Sequence, residues 1–230
     1  MAAIGLLILA ITLAAGFLMV WVPGRVGLRP PEAFLDILGL ALPPIAALFA
    51  VWCLGVRTFY LRWTDFGFVA VTKRQIVLAF GIWLLCLPLL AAVLYGLHQL
   101  TGTTPIQEQT QHLPPGALDD PFMGPLVGLF IVLAAPLGEE LIFRGLIFGW
   151  LRRHFALWPA AAISAITFAA IHGIPVVMPP VLILGLAFAW LYEKTGSIWP
   201  GIVVHAFHNA VVFGMTTLAQ REGLPLSALL

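Results

Sequence analysis

Long apolar runs separated by short polar joints dominate this chain, and they predict helices. Apolar stretches cover about 2–22, 34–56 and 76–98. The polar stretch TGTTPIQEQTQHLPPGALDD follows, and apolar residues resume over about 121–151, 158–172, 179–193 and 197–219. Crossing a bilayer takes roughly 20 residues of helix. By that measure 158–172 and 179–193 are short, and 121–151 is too long for one upright helix. Pro125 and Pro136 could divide it, so it is either two elements or one kinked and tilted helix. The expected fold is all-α: a polytopic membrane helical bundle of seven or eight transmembrane helices. No repeat with a period of 20–50 residues is visible.

Composition explains why these runs must meet lipid. Of 230 residues, 61% are hydrophobic and 9% charged, with a mean hydropathy of +1.04. Soluble domains carry roughly 25% charged residues. Hydrocarbon cannot satisfy free backbone groups, so spans are helices or closed barrels, and continuous apolar runs select helices. The two cysteines, Cys53 and Cys86, sit inside apolar runs and read as small buried hydrophobes without a disulfide. The N-terminal run lacks a basic leader region and reads as a retained membrane helix.

Charge is sparse but unevenly placed. The formal net charge of +1 gives no electrostatic case for a nucleic-acid partner. Arg57, Arg62, Lys73 and Arg74 follow the second span, Arg152 and Arg153 the fourth, and Lys194 lies at a third turn. The loop at 99–120 has no Lys or Arg and holds Glu108, Asp119 and Asp120. The positive-inside rule then puts the N-terminus in the cytoplasm and the C-terminus outside, with Arg25 and Arg29 arguing the other way. The segment RTFYLRWTDFGFVAVTKR mixes aromatics and cations and is either an interfacial element or an ordinary connection.

Within 121–151 the only charges are Glu139, Glu140 and Arg144, in the words GEELIFRG. An acid at mid-bilayer costs about 2.5–3.5 kcal/mol on insertion scales, so such groups need partners or a wet cavity. Glu140 and Arg144 are i and i+4 and share a helix face. Glu139 points about 100° from Glu140 and roughly 140° from Arg144. Glu139 is thus left over, a candidate for chemistry. Histidines in apolar surroundings are its natural company. His172 ends the run ISAITFAAIHG, and His205 shares a helix face with Asn209 in SIWPGIVVHAFHNAVVFG. His208 is offset by about 60° from His205 and could simply bond a neighbouring helix. A lone histidine on an apolar helix is usually structural; three polar points on three predicted helices are harder to dismiss.

Taken in order, Glu139-Glu140-x-x-x-Arg144, Phe168-x-x-x-His172 and His205-x-x-x-Asn209 resemble the motif set of the CPBP (Abi) family. That family includes the CAAX prenyl endopeptidases and bacteriocin-processing or self-immunity membrane proteases. EELIFRGLIFGWLRR and WLYEKTGSIWPGIVVHAFHN resemble its wording around the first and third motifs. The resemblance covers about 121–218 and divides the chain into N-terminal membrane helices and polar loop (1–120), a catalytic core (121–218) and a tail (219–230), in one membrane domain. It implies an intramembrane endopeptidase with Glu139 and His172 activating water, His205 and Asn209 stabilising the oxyanion, and Glu140 with Arg144 as a supporting ion pair. Phe168 packs one turn before His172.

No serine or cysteine stands out as a nucleophile, because Ser164 is two turns from His172 and Cys86 has no evident base. A metal-free site is favoured. Zinc is the alternative, with Glu139, His172 and His205 as ligands around an open position. The resemblance implies a membrane-anchored protein or peptide substrate: a lipidated C-terminus, a leader peptide or a sorting tag. The expected location is a prokaryotic plasma membrane. Two other functions use similar residues. A proton-coupled transporter also needs intramembrane Glu and His, but would show internal repeats. A non-catalytic immunity or scaffold protein would tolerate loss of a motif residue.

Overall fold

The computed structural model describes residue 42 and residues 44–111 and 117–225. The predicted span at 2–22, the beginning of that at 34–56, and the N-terminal arm of the topology reading lie outside the described residues. Among the described residues the chain is helical throughout, with no strand. The elements are α1 (Pro44–Thr58), α2 (Lys73–Thr101), α3 (Pro105–Thr110), α4 (Met123–Leu151), α5 (Leu157–Ala170), α6 (Met178–Thr195) and α7 (Trp199–Arg221), with a 3₁₀ turn at Trp63–Phe66.

Local chemistry sets the ends of these helices. Thr72 and Gln75 form a reciprocal cap at the start of α2, and Thr104 and Gln107 do the same for α3. Pro179 and Pro180 lie in the first turn of α6 and Pro200 in that of α7, where a backbone N–H has no partner to lose. Gly102 and Gly196 close α2 and α6 with φ of 72° and 65°, a conformation that costs other residues a steric penalty.

Helices α2, α4 and α7 are long and apolar enough to cross a membrane, at 29, 29 and 23 residues with mean hydropathies of 2.7, 2.0 and 1.5. Helix α5 has 14 residues and α6 has 18, so they rise only about 21 and 27 Å at 1.5 Å per residue, short of the ~30 Å hydrocarbon core. The 121–151 stretch takes the second of its two expected forms, a single helix. It contains two π segments, Phe130–Ala134 and Leu141–Phe148. The first lies immediately before Pro136, which offers no N–H to the carbonyl one turn back. The wider π turn loosens the ladder at that point, and the helix passes the proline without breaking.

Helix α4 is the centre of the bundle. The stretch 130–140 packs against α7, and 141–148 packs against α5, α6 and the 3₁₀ turn. Helix α5 lies along α6, and α6 and α7 both lie against α2. Glycines let these surfaces approach. A Cβ on Gly145 would stand 2.5 Å from the Phe66 carbonyl oxygen, and one on Gly138 would stand 2.7 Å from Pro44 Cα. Small residues at close helix contacts are the usual means of association where lipid removes the hydrophobic drive. The outer surface is apolar: Val77, Leu85, Leu89 and Ile166 are all exposed, as a lipid-facing surface requires.

The segment 57–74 docks at one end of this bundle. Phe66 is fully buried against α4. Ile198 N–H donates to the Gly67 carbonyl at 2.9 Å, and the Ser197 hydroxyl donates to that of Val69 at 2.7 Å. Arg152 makes a two-pronged pair with Glu193 at 2.8 Å, tying the ends of α4 and α6 together. Arg57, Arg62, Lys73, Arg74, Arg152, Arg153 and Lys194 therefore gather at one end, while Glu108, Asp119 and Asp120 lie toward the other.

Candidate active site

The site is built from the middle of α4 outward. Glu140 and Arg144 are both 1% exposed at the side chain and pair through Nη1 and Oε1 at 2.9 Å. The pairing is the i, i+4 contact that the spacing predicts. The guanidinium has three further neighbours that no spacing predicts. Its Nη2 donates to the Gly185 carbonyl of α6 at 3.1 Å, its Cζ lies 4.6 Å from the Phe168 ring centre, and it lies 5.3 Å from that of Phe188. Hydrogen bonds from both Nη atoms and two nearby aromatic rings offset the cost of burying the cation, while among the described residues its Nε has no partner. Among the described residues Glu140 Oε2 has no hydrogen-bond partner, and a Cβ on Gly201 of α7 would stand 2.7 Å from it. Only glycine leaves room there.

His205 of α7 stands between the two acids. Its Nδ1 is 3.3 Å from Glu140 Oε1 and its Nε2 is 3.6 Å from Glu139 Oε2. One Glu140 oxygen thus serves both Arg144 and His205. The two glutamates differ sharply in access: the Glu139 side chain is 25% exposed, that of Glu140 1%. Arg144 fixes one acid in the interior, and the other is partly exposed beside an imidazole. The π segment that starts right after Glu140 widens the turn carrying Arg144, as such bulges commonly do near functional residues.

His172 and Asn209 occupy neighbouring positions with defined partners. His172 Nδ1 lies 2.9 Å from the Phe168 carbonyl oxygen, and its ring stands edge-on to Phe168 with centres 5.1 Å apart. A carbonyl can only accept, so Nδ1 carries the proton and Nε2 is left with a free lone pair in the neutral ring. Asn209 Nδ2 donates to the Ile131 carbonyl at 2.9 Å, inside the first π segment of α4. That commits one of its two N–H groups to joining α7 to α4. Phe168 is the hub: it touches Phe143, Arg144, His172 and His205.

His208 has a structural partner. Trp83 Nε1–H of α2 donates to His208 Nδ1 at 3.3 Å, linking two long helices. Ser164 is buried and donates to the Phe143 carbonyl at 3.0 Å, and Cys86 is packed among the apolar side chains of α2 and α6. Among the described residues, no three His, Cys, Asp or Glu side chains converge into a group able to hold a metal ion. Glu139, His172 and His205 therefore do not form a zinc-ligand set in this arrangement. What sequence reasoning missed is the contribution of α6, through Gly185 and Phe188, and of Gly201. A glycine or phenylalanine in an apolar run carries no mark of what it will face.

Comparison with known proteins finds likeness over the same stretch of chain. A family model described as "Type II CAAX prenyl endopeptidase Rce1-like" matches residues 121–211, the stretch that holds every residue of the site. "Putative membrane peptidase YdiL" of Bacillus subtilis (strain 168) is 33% identical over 100 residues, covering 44% of this chain and 41% of the relative. "UPF0177 protein YxdF" of Lactococcus lactis subsp. lactis (strain IL1403) is 35% identical over 78 residues, covering 34% of this chain and 42% of the relative. The chain thus spans about two fifths of the length of these curated relatives. No solved structure matches it significantly. Over the core at 121–211, which carries the Glu-Glu-x-x-x-Arg, Phe-x-x-x-His and His-x-x-x-Asn residues, the chain is similar to the type II CAAX prenyl endopeptidase Rce1-like family and to these membrane proteins.

Proposed function

We propose that this chain is an intramembrane endopeptidase that hydrolyses a peptide bond of a membrane-anchored protein or peptide. The observation that carries the reading is the asymmetry of the two adjacent glutamates. Glu140 is buried and bound to Arg144, while Glu139 is partly accessible and 3.6 Å from His205. A structural cluster would need only the first pair. With Arg144 charged and both acids ionised, these groups carry one net negative charge. A partly accessible acid beside an imidazole, next to a buried ion pair, suits acid–base catalysis.

In this mechanism Glu139 accepts a proton from a water molecule that attacks the substrate carbonyl. His172, whose Nε2 lone pair is free, helps orient that water. His205 and the uncommitted N–H of Asn209 donate to the oxyanion, a kind of contact worth roughly 3–4 kcal/mol per donor elsewhere. Glu139 then returns the proton to the leaving amine. The scheme is written without a metal, because the Asn209 carboxamide makes better sense as a donor than as a zinc ligand.

The substrate class follows from the family: a peptide held at the bilayer by a lipid or a hydrophobic anchor. The test is cleavage by purified full-length protein in liposomes, read by mass spectrometry on an internally quenched farnesylated CAAX peptide and its unprenylated twin. Cleavage of the prenylated peptide near its anchored end is the expected result. Absence of cleavage of both peptides and of membrane-fraction proteins would overturn the protease reading. Metal analysis accompanies it: stoichiometric zinc whose removal abolishes cleavage would overturn the metal-free scheme.

A further inference from the structure

We propose that Phe188 of α6 is a positioning residue for the site, holding Arg144 and His205 in register; the proposal rests on the protease reading above. The three motifs lie on α4, α5 and α7, and none of them includes α6. Yet α6 supplies two adjoining features of the site, one helical turn apart: the Gly185 carbonyl and the Phe188 ring. Phe188 is 1% exposed. Its ring centre is 5.2 Å from that of His205 at an interplanar angle of 34°, and 5.3 Å from Arg144 Cζ. Phe168 presents itself to His205 differently, edge-on at 84° and 6.0 Å.

The difference has a mechanical consequence. An imidazole packed at 34° against a buried aromatic ring is limited in how far it can tilt. Here the two nitrogens of that ring approach Glu140 and Glu139. Without the face the ring is free to tilt, and Nε2 swings away from Glu139 while Nδ1 can keep its hydrogen bond. The same ring offers its negative face to whichever neighbour is cationic, the guanidinium throughout and the imidazolium when it forms. Phe188 thus links the structural pair to the proton-carrying pair. Gly185 makes the approach possible, since a Cβ there would stand 3.0 Å from Ala165 Cβ.

The test compares Phe188→Leu, which keeps an apolar side chain and removes the ring, with pentafluorophenylalanine at position 188, which keeps the ring and inverts its face. Full-length protein in nanodiscs is assayed on the farnesylated quenched peptide, with melting temperature alongside. In both variants kcat is expected to fall about tenfold, with KM within about twofold of wild type. In a second measurement, ¹⁵N-histidine spectra are followed against pH, with His205 assigned by His205→Gln. The His205 titration is expected to move by about half a pH unit or more in both variants. Wild-type kcat and an unmoved His205 titration in the fluorinated variant would overturn the proposal, as would activity losses that merely track melting temperature. If wild-type protein cleaves neither peptide, the protease reading fails while the His205 spectra still decide the positioning claim.

Discussion

His205 Nε2 faces Glu139 Oε2 across 3.6 Å, joining a histidine of α7 to the more accessible of two adjacent acids on α4. Neighbours in sequence, Glu139 and Glu140 have separate tasks because one is held by Arg144 and the other is not. The chemistry assigned to Glu139 follows from that separation, and so do the outcomes expected of its variants.

Glu139→Gln preserves shape and removes the base. Cleavage of the farnesylated peptide should fall by about 10²–10⁴-fold, the usual weight of a general base. Melting temperature should hold or rise, because a partly buried charge is gone. Wild-type kcat in this variant would remove Glu139 from the mechanism.

Arg144 and Glu140 should show strong mutual dependence. Arg144→Met leaves a buried, unpaired carboxylate, and Glu140→Met leaves a buried cation. Each single change should destabilise by about 3–5 kcal/mol, and the double Met variant by clearly less than their sum. Detergent-solubilised unfolding of the four proteins measures the coupling. Additive losses would mean that the 2.9 Å contact contributes little.

Gly201→Ala tests the space beside Glu140. The added methyl would sit 2.7 Å from Oε2, on a side chain that Arg144 holds in place. Glu140 must shift, taking with it the oxygen that His205 also uses. Activity should fall by about tenfold or more for a loss of roughly 1–3 kcal/mol in stability. Gly214→Ala on the same helix, where a Cβ meets nothing within 4 Å, is the control and should leave activity unchanged and stability unchanged or raised by up to about 1 kcal/mol.

His208→Ala should separate stability from catalysis. It removes the acceptor of the Trp83 indole N–H, and interhelical bonds of this kind are worth about 0.6 kcal/mol on average and up to ~1.7. Stability should fall by about that much, with kcat within about threefold of wild type. A large loss of kcat at unchanged stability would make His208 part of the chemistry.

Asp120 gives a pH signature outside the membrane-spanning helices. The backbone N–H groups of Met123 and then Phe122 donate to its carboxylate at 2.7 and 2.9 Å, and these bonds hold its pKa below the ordinary 3.8. A depressed folded-state value means the contribution is intact above the ordinary carboxylate range and lost as pH falls through the depressed value. Protection of the Phe122 and Met123 amides from hydrogen exchange should therefore weaken in acid in wild type. Asp120→Asn should be flat over the same range.

Several features were written in the chain itself. The apolar runs at 76–98, 121–151 and 197–219 correspond to α2, α4 and α7, because a long continuous apolar run satisfies its own backbone in lipid as a helix. Thr72 with Gln75 and Thr104 with Gln107 mark helix starts by their spacing alone. The Glu140–Arg144 pair follows from i, i+4 geometry, and the same geometry leaves Glu139 over. These are local relations, fixed by the turn of one helix.

Relations between helices were settled only by packing. Sequence gives His205 and His208 the same chemistry three positions apart; the crossing of α2, α4 and α7 turns one toward two glutamates and the other toward Trp83. Asn209 finds the Ile131 carbonyl because the π turn of α4 lies opposite it, 78 residues away. Phe188 and Gly185 enter the site because α6 lies close to α5 and α4, which their residue types do not signal. A side chain's direction on its own helix depends on a few neighbouring dihedral angles, whereas what it meets depends on how whole helices fit together, and that fit belongs to no single stretch of sequence.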